Sequence, residues 1–313
     1  MLEKIPAEVK LVDVIPPPPG AVIAIGVFDG VHLGHQKLLD VAKEQAMRVG
    51  SIPGTISFWP HPQNFFLPQQ PVQQLTSPAE QNQLMNLYGI SYFSFFHFTS
   101  KFAGLSAQEF AHQVLAEQLQ VGGVVIGYNF RYGSRNSGDS TLLKIAGEEL
   151  GFQVIVVPPV EIEGAVVSST RIRQLLSVGD VAIAERLLGR PYSLSGVVVH
   201  GAGRGHGLGF PTVNLSLSPN RLIPASGVYA GSAIIDDQNR VPAAIFIGPK
   251  LTFDDLRPTV EAHLLDWTDN LYGKRLQIQF RQRLRGIVKF ATAAHLQDQI
   301  NADLQKVREL VGK

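Results

Sequence analysis

Through the first 160 positions, apolar residues gather in short, nearly continuous runs, most of them followed by a stretch with helical spacing. AVIAIGVF (21–28) predicts a buried strand; from His35 the spacing of Leu38, Leu39, Ala42, Ala46 and Val49 turns helical, and Gly50 supplies a stop. TISF (55–58) predicts the next strand. Ser77-Pro78-Ala79-Glu80 combines a capping box with proline at the first helical position, and Gly89 closes that helix. ISYFSFF (90–96), VGGVVIG (121–127) and FQVIVV (152–157) predict three further strands, with a second capping box at Ser106 to Glu109 and a helix over 140–150. Strands separated by helices imply parallel pairing through right-handed crossovers, and so an α/β domain with a doubly wound sheet.

The pattern changes after Gly189-Arg190-Pro191. SGVVVHG, GVYAGSAIID, VPAAIFIG, VEAHLLDW and RLQIQF are short strands with no helix-length segment between them, which predicts a small antiparallel barrel or sandwich. A terminal amphipathic helix follows, with Leu296, Ile300, Leu304, Val307 and Leu310 on one face. The expected division is a first domain over 1–186 and a second over 187–313. PPPPG (16–20) reads as a stiff polyproline lead-in.

Composition narrows the function classes. A chain of 313 residues with 45% hydrophobic content has material for two cores. A net charge of +1 advertises neither a nucleic-acid nor a membrane partner. The absence of cysteine removes disulfides, thiolate metal sites and cysteine nucleophiles. MLEKIPAEVK is too polar for a signal peptide, and no apolar run reaches the roughly 18 residues of a membrane span. The expectation is a cytoplasmic protein, with its oligomeric state left open.

Six stretches carry candidate chemistry. In VFDGVHLGHQKLL (27–39), glycines at 30 and 34, with Gly26 just before, permit close backbone approach, and His32 and His35 stand at a strand-to-helix junction. Helix N–H groups and imidazoles there suit a phosphate, although a tight turn rich in His and Gly, or a metal site, would read alike. In VSSTRIRQLL (167–176), one of Ser168, Ser169 and Thr170 caps a helix, and Arg171 and Arg173 follow; this is either a triphosphate site or a capped surface helix. GYNFRYGSRNSGD (127–139) is a ligand loop or a plain connector, and FWPHPQNFF (58–66) offers His61 and aromatics that stack a planar ring or fill a core. HGAGRGHGLGFPTVNL (200–215) holds five glycines within ten residues but lacks a P-loop ending. Its N–H groups can wrap phosphates, and Thr212 and Asn214 are hard oxygen donors of the kind Mg²⁺ accepts, unless the segment is simply a flexible turn. In VEAHLLDW (260–267), period two puts Glu261, His263 and Leu265 on one strand face. An inward carboxylate is costly unless paired or functional, which makes Glu261 the general-base candidate.

Taken in order, Gly26-x-Phe28-Asp29-Gly30-x-His32-x-Gly34-His35, Pro60-His61-Pro62, Ser168-Ser169-Thr170-x-Ile172-Arg173, Gly209-Phe210-Pro211-Thr212-x-Asn214 and Glu261-x-His263-Leu264-Leu265-Asp266 resemble the bacterial bifunctional riboflavin kinase/FAD synthetase family over nearly the whole chain. The resemblance implies a nucleotidylyltransferase domain that transfers AMP from ATP to FMN, giving FAD and pyrophosphate. It also implies a barrel that transfers the γ-phosphate of ATP to riboflavin, giving FMN. In the first reaction it implies catalytic roles for His32, His35 and Arg173, and ATP contacts from Gly26, Phe28, Asp29, Gly34, Ser168, Ser169 and Thr170. His61, Asn129 and Phe130 would contact the flavin. In the second it implies Glu261 as base, Thr212 and Asn214 as Mg²⁺ ligands, and Gly203, Gly205 and Gly209 around ATP. Three positions depart from the family pattern: Val213 for Ala, where a larger side chain would tighten the metal loop, Phe246 for Asn and Leu251 for Pro. All three surround the kinase site, so the alternative is an adenylyltransferase carrying a flavin-binding but kinase-inactive barrel.

Overall fold

The structure, a computed structural model, describes residues 15–201, 209–236, 239–249 and 258–312. The chain divides into two compact units, one ending at Val167 and one beginning at Ser168.

The first unit is built on five parallel strands: β1 (Val22–Ile25), β2 (Pro53–Trp59), β3 (Tyr92–His97), β4 (Gly123–Gly127) and β5 (Gln153–Val157), in the order β3-β2-β1-β4-β5. All four residues of β1 are buried because layers cover both faces. Ile23 and Ile25 join Val114 and Leu115 in one core, while Val22 and Ala24 join Leu39 and Ala42 in the other. The second layer comes from α1 (Leu33–Arg48), which buries the expected stripe of Leu38, Leu39, Ala42 and Ala46; Val49 is its exposed C-cap. The short α2 (Pro62–Phe66) and then α3 (Pro78–Leu87) follow, the latter opened by the expected Ser77–Glu80 capping box. After α4 (Ser100–Ala103), the second capping box opens only the three-residue α5 (Ala107–Glu109), which continues as a π-helix over Phe110–Gln118. Next come α6 (Ser140–Leu150) and the two-residue strands β6 (Glu161–Ile162) and β7 (Ala165–Val166), a hairpin with no periodic signal in the sequence. The first strand is shorter than its apolar run predicts. The Gly26 amide still donates to the Ile56 carbonyl, but beyond it the chain leaves the ladder, and Phe28 and Val31 hold φ of 51° and 40°, a left-handed backbone that a strand excludes.

Strand order reverses at β1, whose neighbours are β2 and β4. In open α/β sheets the crevice beyond the carboxyl ends at such a point receives the ligand.

The second unit opens with α7 (Ser169–Val178) and α8 (Val181–Leu188). A closed barrel follows: β8 (Tyr192–Val199), β9 (Val213–Ser216), β10 (Gly227–Ile235), β11 (Asn239–Gly248), β12 (Thr259–Leu264) and β13 (Arg275–Arg285), in the order β10-β11-β12-β9-β8-β13, with neighbouring strands antiparallel. Helix α9 (Ala293–Val311) packs on the outside of the wall, where Leu304 and Val307 join Ala230 and Leu265. Its expected face is corrected at two places. Leu310 is exposed, and the buried position in its stead is Asp303, whose charge is met by Arg285 at 2.8 Å.

Candidate active sites

The turn from β1 into α1 is held from beneath. Asp29, buried, accepts hydrogen bonds from the Leu75 amide (2.9 Å) and the Thr76 amide (3.0 Å), and the Thr76 hydroxyl accepts one from the Gly30 amide (2.9 Å). Its carboxylate thus fixes the loop from inside. His32 is the N-cap of α1: its Nδ1 accepts the His35 amide hydrogen at 3.2 Å, and the two imidazoles stack with centroids 3.7 Å apart. A β-carbon on Gly34 would stand 3.1 Å from the His32 ring, so glycine lets the two rings lie together.

Of the two histidines, His35 lines a cavity of about 590 Å³ at the β1/β4 crevice. Gly26 and Phe28 line the same cavity from the β1 side, and Asn129, Phe130 and Tyr132 from the loop after β4. Phe58, Phe66, Phe98 and Phe102 close the rest of it, packed edge to face or tilted at centroid distances between 5.6 and 6.0 Å. His61 stands beside this wall as the cap of α2, accepting the Gln63 amide at 3.2 Å. Sequence reasoning missed Arg131, Tyr132 and Arg135, which also line the cavity. All three lie in GYNFRYGSRNSGD, where tyrosine and arginine beside glycines were the available signal. Burial, reinforced by the Asp139 carboxylate, pushes the Tyr132 hydroxyl up to about 12. Asp139 itself is held below the usual carboxylate range, chiefly by the Leu142 amide it caps.

Ser168 caps α7, accepting the Arg171 amide at 3.2 Å; Ser169 and Arg173 are half-buried and Thr170 is exposed. These four residues belong to the second compact unit.

That unit has its own cavity, about 340 Å³, between the outer barrel wall and α9. Alternation along β12 turns Val260, Ala262 and Leu264 into the barrel and leaves Glu261 and His263 lining this cavity. Two expectations are corrected here: Glu261 faces outward under the helix rather than inward, and the strand ends before Leu265. Thr212 donates its hydroxyl to Glu261 at 3.1 Å, and Asn214 is the cross-strand partner of Glu261. His263 donates from Nδ1 to the Pro211 carbonyl at 2.8 Å, which holds the segment before β9 against β12. The Asn214 amide lies flat on the backbone of Gly201, where a β-carbon would collide at 2.1 Å. Val213 pairs with Ala262, on the opposite strand face from Thr212 and Asn214. Phe246 is the other cross-strand partner of Glu261; its ring lies along Gly248 and leaves the cavity open. Gly209 has φ of 84°, a conformation suited to glycine. Gly203, Gly205 and Leu251 lie outside the described residues.

The FAD synthetase family model matches residues 15–171 and the riboflavin kinase model residues 188–311. A bifunctional riboflavin kinase/FMN adenylyltransferase of Escherichia coli K12 is 35% identical over 296 residues, 95% of this chain and 94% of that one. The enzyme of the same description from Pseudomonas fluorescens is 38% identical over 292 residues, 93% of each chain. This chain belongs to the bifunctional riboflavin kinase/FMN adenylyltransferase family.

A bifunctional riboflavin kinase/FMN adenylyltransferase of Bacillus subtilis is 34% identical over 91% of each chain. A solved structure described as a macrolide-efflux protein from Streptococcus pneumoniae superposes with a TM-score of 0.86 at 32% identity, covering 94% of this chain and 95% of that one. Among the described residues no helix is long and apolar enough to cross a membrane. The chain is thus a bifunctional transferase: it phosphorylates riboflavin to FMN with ATP and adenylylates FMN to FAD, releasing pyrophosphate.

Proposed function

We propose that adenylyl transfer takes place in the β1/β4 cavity and riboflavin phosphorylation in the cavity beneath α9, with residues 1–186 forming the adenylyltransferase domain and 187–313 the kinase. One observation supports this most: each compact unit carries a cavity large enough for a planar ring, and each is lined by groups suited to its own reaction.

In the first cavity the acceptor phosphate of FMN is already a nucleophile, so positioning and charge stabilisation suffice. His35 and the positive end of α1 stabilise the charge that grows on the ATP phosphates, and buried His32 holds His35 in place. Gly26, Phe28 and Gly34 let the backbone approach ATP, and Asp29 supports that turn from within. The triphosphate roles of Ser168, Ser169, Thr170 and Arg173 rest on their motif at the capped start of α7. Asn129 and Phe130 meet the isoalloxazine, with His61 supporting the wall through α2.

In the second cavity the primary alcohol of riboflavin must lose a proton as it attacks the γ-phosphorus. Glu261 accepts that proton, with its carboxylate oriented by the Thr212 hydroxyl. Thr212 and Asn214 are neutral oxygen donors beside one carboxylate, and no group of three His, Cys, Asp or Glu suited to a metal occurs among the described residues. That donor set fits Mg²⁺, which takes few protein ligands and completes its shell with phosphate oxygens and water. Thr212 and Asn214 would hold it; when bound it neutralises phosphate charge. The ATP roles of Gly203, Gly205 and Gly209 rest on the glycine-rich motif alone. The open cavity around Phe246 supports an active kinase over a silent barrel. The enzyme works in the cytoplasm on flavins and ATP, with no nucleic-acid or membrane partner.

Chromatography of flavins after incubation with Mg-ATP tests the reading. Riboflavin should give FMN and FAD, and supplied FMN should give FAD. FAD from FMN without any FMN from riboflavin would establish the silent barrel instead.

A further inference from the structure

The two reactions use flavins that differ by one phosphate, and the adenylyltransferase must take only the phosphorylated one. The wall that suits the ring is apolar and cannot tell the two apart. Discrimination requires a cation placed where the phosphate lies. The arginines lining the cavity are Arg131 and Arg135. Arg131 lies 3.5 Å from the Asp139 carboxylate. Arg135 is exposed and forms no ion pair or hydrogen bond with any other described residue.

The backbone at Arg135 is unusual. It holds φ 54° and ψ 28°, and Asn136 follows at φ 57°, two left-handed non-glycine residues in succession. Neighbours impose this conformation. Gly133 lies so close to Ala107 that a β-carbon would stand 2.7 Å from its amide nitrogen, and the Ser134 amide donates to the Leu105 carbonyl at 2.6 Å. Strained residues persist where the surroundings over-determine them, and they cluster at ligand-holding positions.

We propose that Arg135 grips the phosphate of FMN and thereby selects FMN over riboflavin as the adenylyl acceptor. This rests on reading the β1/β4 cavity as the FMN site. Arg135 belongs with the flavin rather than with ATP because it shares its loop with Asn129, Phe130 and Tyr132, whereas the ATP side is the β1–α1 turn. In the transfer, an oxygen of the gripped phosphate forms a bond to the α-phosphorus of ATP while the bond from that phosphorus to the bridging β-oxygen breaks. Pyrophosphate departs with that electron pair, and no proton need move.

The test is steady-state FAD formation from supplied FMN by the full-length enzyme and its R135Q, R135K and F66A variants, with riboflavin phosphorylation as a control. Phe66 is an exposed aromatic of the cavity wall. R135Q should raise KM for FMN roughly 10- to 100-fold, the range for a lost charge-assisted contact. KM for ATP and the kinase rate should stay unchanged, and R135K should recover part of the loss. F66A should raise KM for FMN regardless of charge. If F66A raises it and R135Q does not, the role of Arg135 is overturned while the cavity stands. If neither does, the cavity is not the FMN site. A rise in KM for ATP alone with R135Q would assign the arginine to the triphosphate and overturn the proposal.

Discussion

The imidazole of His32 lies face to face with that of His35, 15° from parallel and 3.7 Å between centroids, and its Nδ1 accepts the His35 amide hydrogen. The two rings therefore stand in different places. His35 lines the cavity and His32 lies buried behind it. A motif that reads as two equivalent phosphate ligands puts, in space, one ring at the cavity and the other behind it as its brace.

Gly34→Ala tests that brace. The added methyl would stand 3.1 Å from the His32 ring, and the ring must shift by a few tenths of an ångström. Small misplacements of a positioned group are costly, so FAD formation should fall about tenfold while riboflavin phosphorylation is retained. The two rates, measured on one preparation, check it.

Gly201→Ala gives the converse. A β-carbon there would overlap the Asn214 amide, displacing a proposed Mg²⁺ ligand beside Glu261. Riboflavin phosphorylation should drop by at least about tenfold, with a raised Mg²⁺ requirement, and FMN adenylylation should be spared.

Asp303 and Arg285 join α9 to β13 along the edge of the cavity beneath the helix, at 2.8 and 2.9 Å, with Gln299 donating to the other carboxylate oxygen at 3.0 Å. Asp303→Ala leaves a guanidinium without its carboxylate. Removing one partner of a fully buried pair costs about 3–5 kcal/mol. Arg285 keeps some contact with water, so a loss of about 2 kcal/mol is expected, read from the urea midpoint of the barrel transition.

Tyr132 supplies a pH dependence. Its hydroxyl is pushed up to about 12, first by burial and then by Asp139, from an ordinary value of 10.0. The folded protein keeps a proton that the unfolded chain releases, so this contribution is complete below about pH 10 and is lost as pH rises from there towards 12. Tyr132→Phe should therefore be destabilised less than the parent between those pH values. Denaturation midpoints of both proteins across that range check it.

Both layers of the first unit were legible because β1 is a continuous apolar run and α1 keeps a strict stripe through Leu38, Leu39, Ala42 and Ala46. The end of β1 was not, because Val27 and Phe28 extend the apolar run while their backbone has already left the sheet. Strand β9 escaped notice because four residues after a glycine-rich stretch carry too few alternations. Asp303 was hidden for another reason: a carboxylate on an amphipathic helix reads as solvated until Arg285, eighteen positions away, is seen to face it. The motifs around both cavities were legible, but not which of their residues line them. Glu261 stands out in the sequence, but its facing the cavity under α9 depends on barrel closure, a property of pairings far apart in the chain.

The most direct test of the account is Glu261→Gln, which keeps the size of the side chain and an acceptor for the Thr212 hydroxyl while removing the base. The variant is incubated with Mg-ATP and riboflavin, and separately with Mg-ATP and FMN, and the flavins are separated by chromatography. FMN formation from riboflavin should fall by roughly 10²- to 10⁴-fold, with FAD still made from supplied FMN at the parental rate. Riboflavin phosphorylation at the parental rate would contradict the assignment of Glu261 and, with it, the kinase site beneath α9.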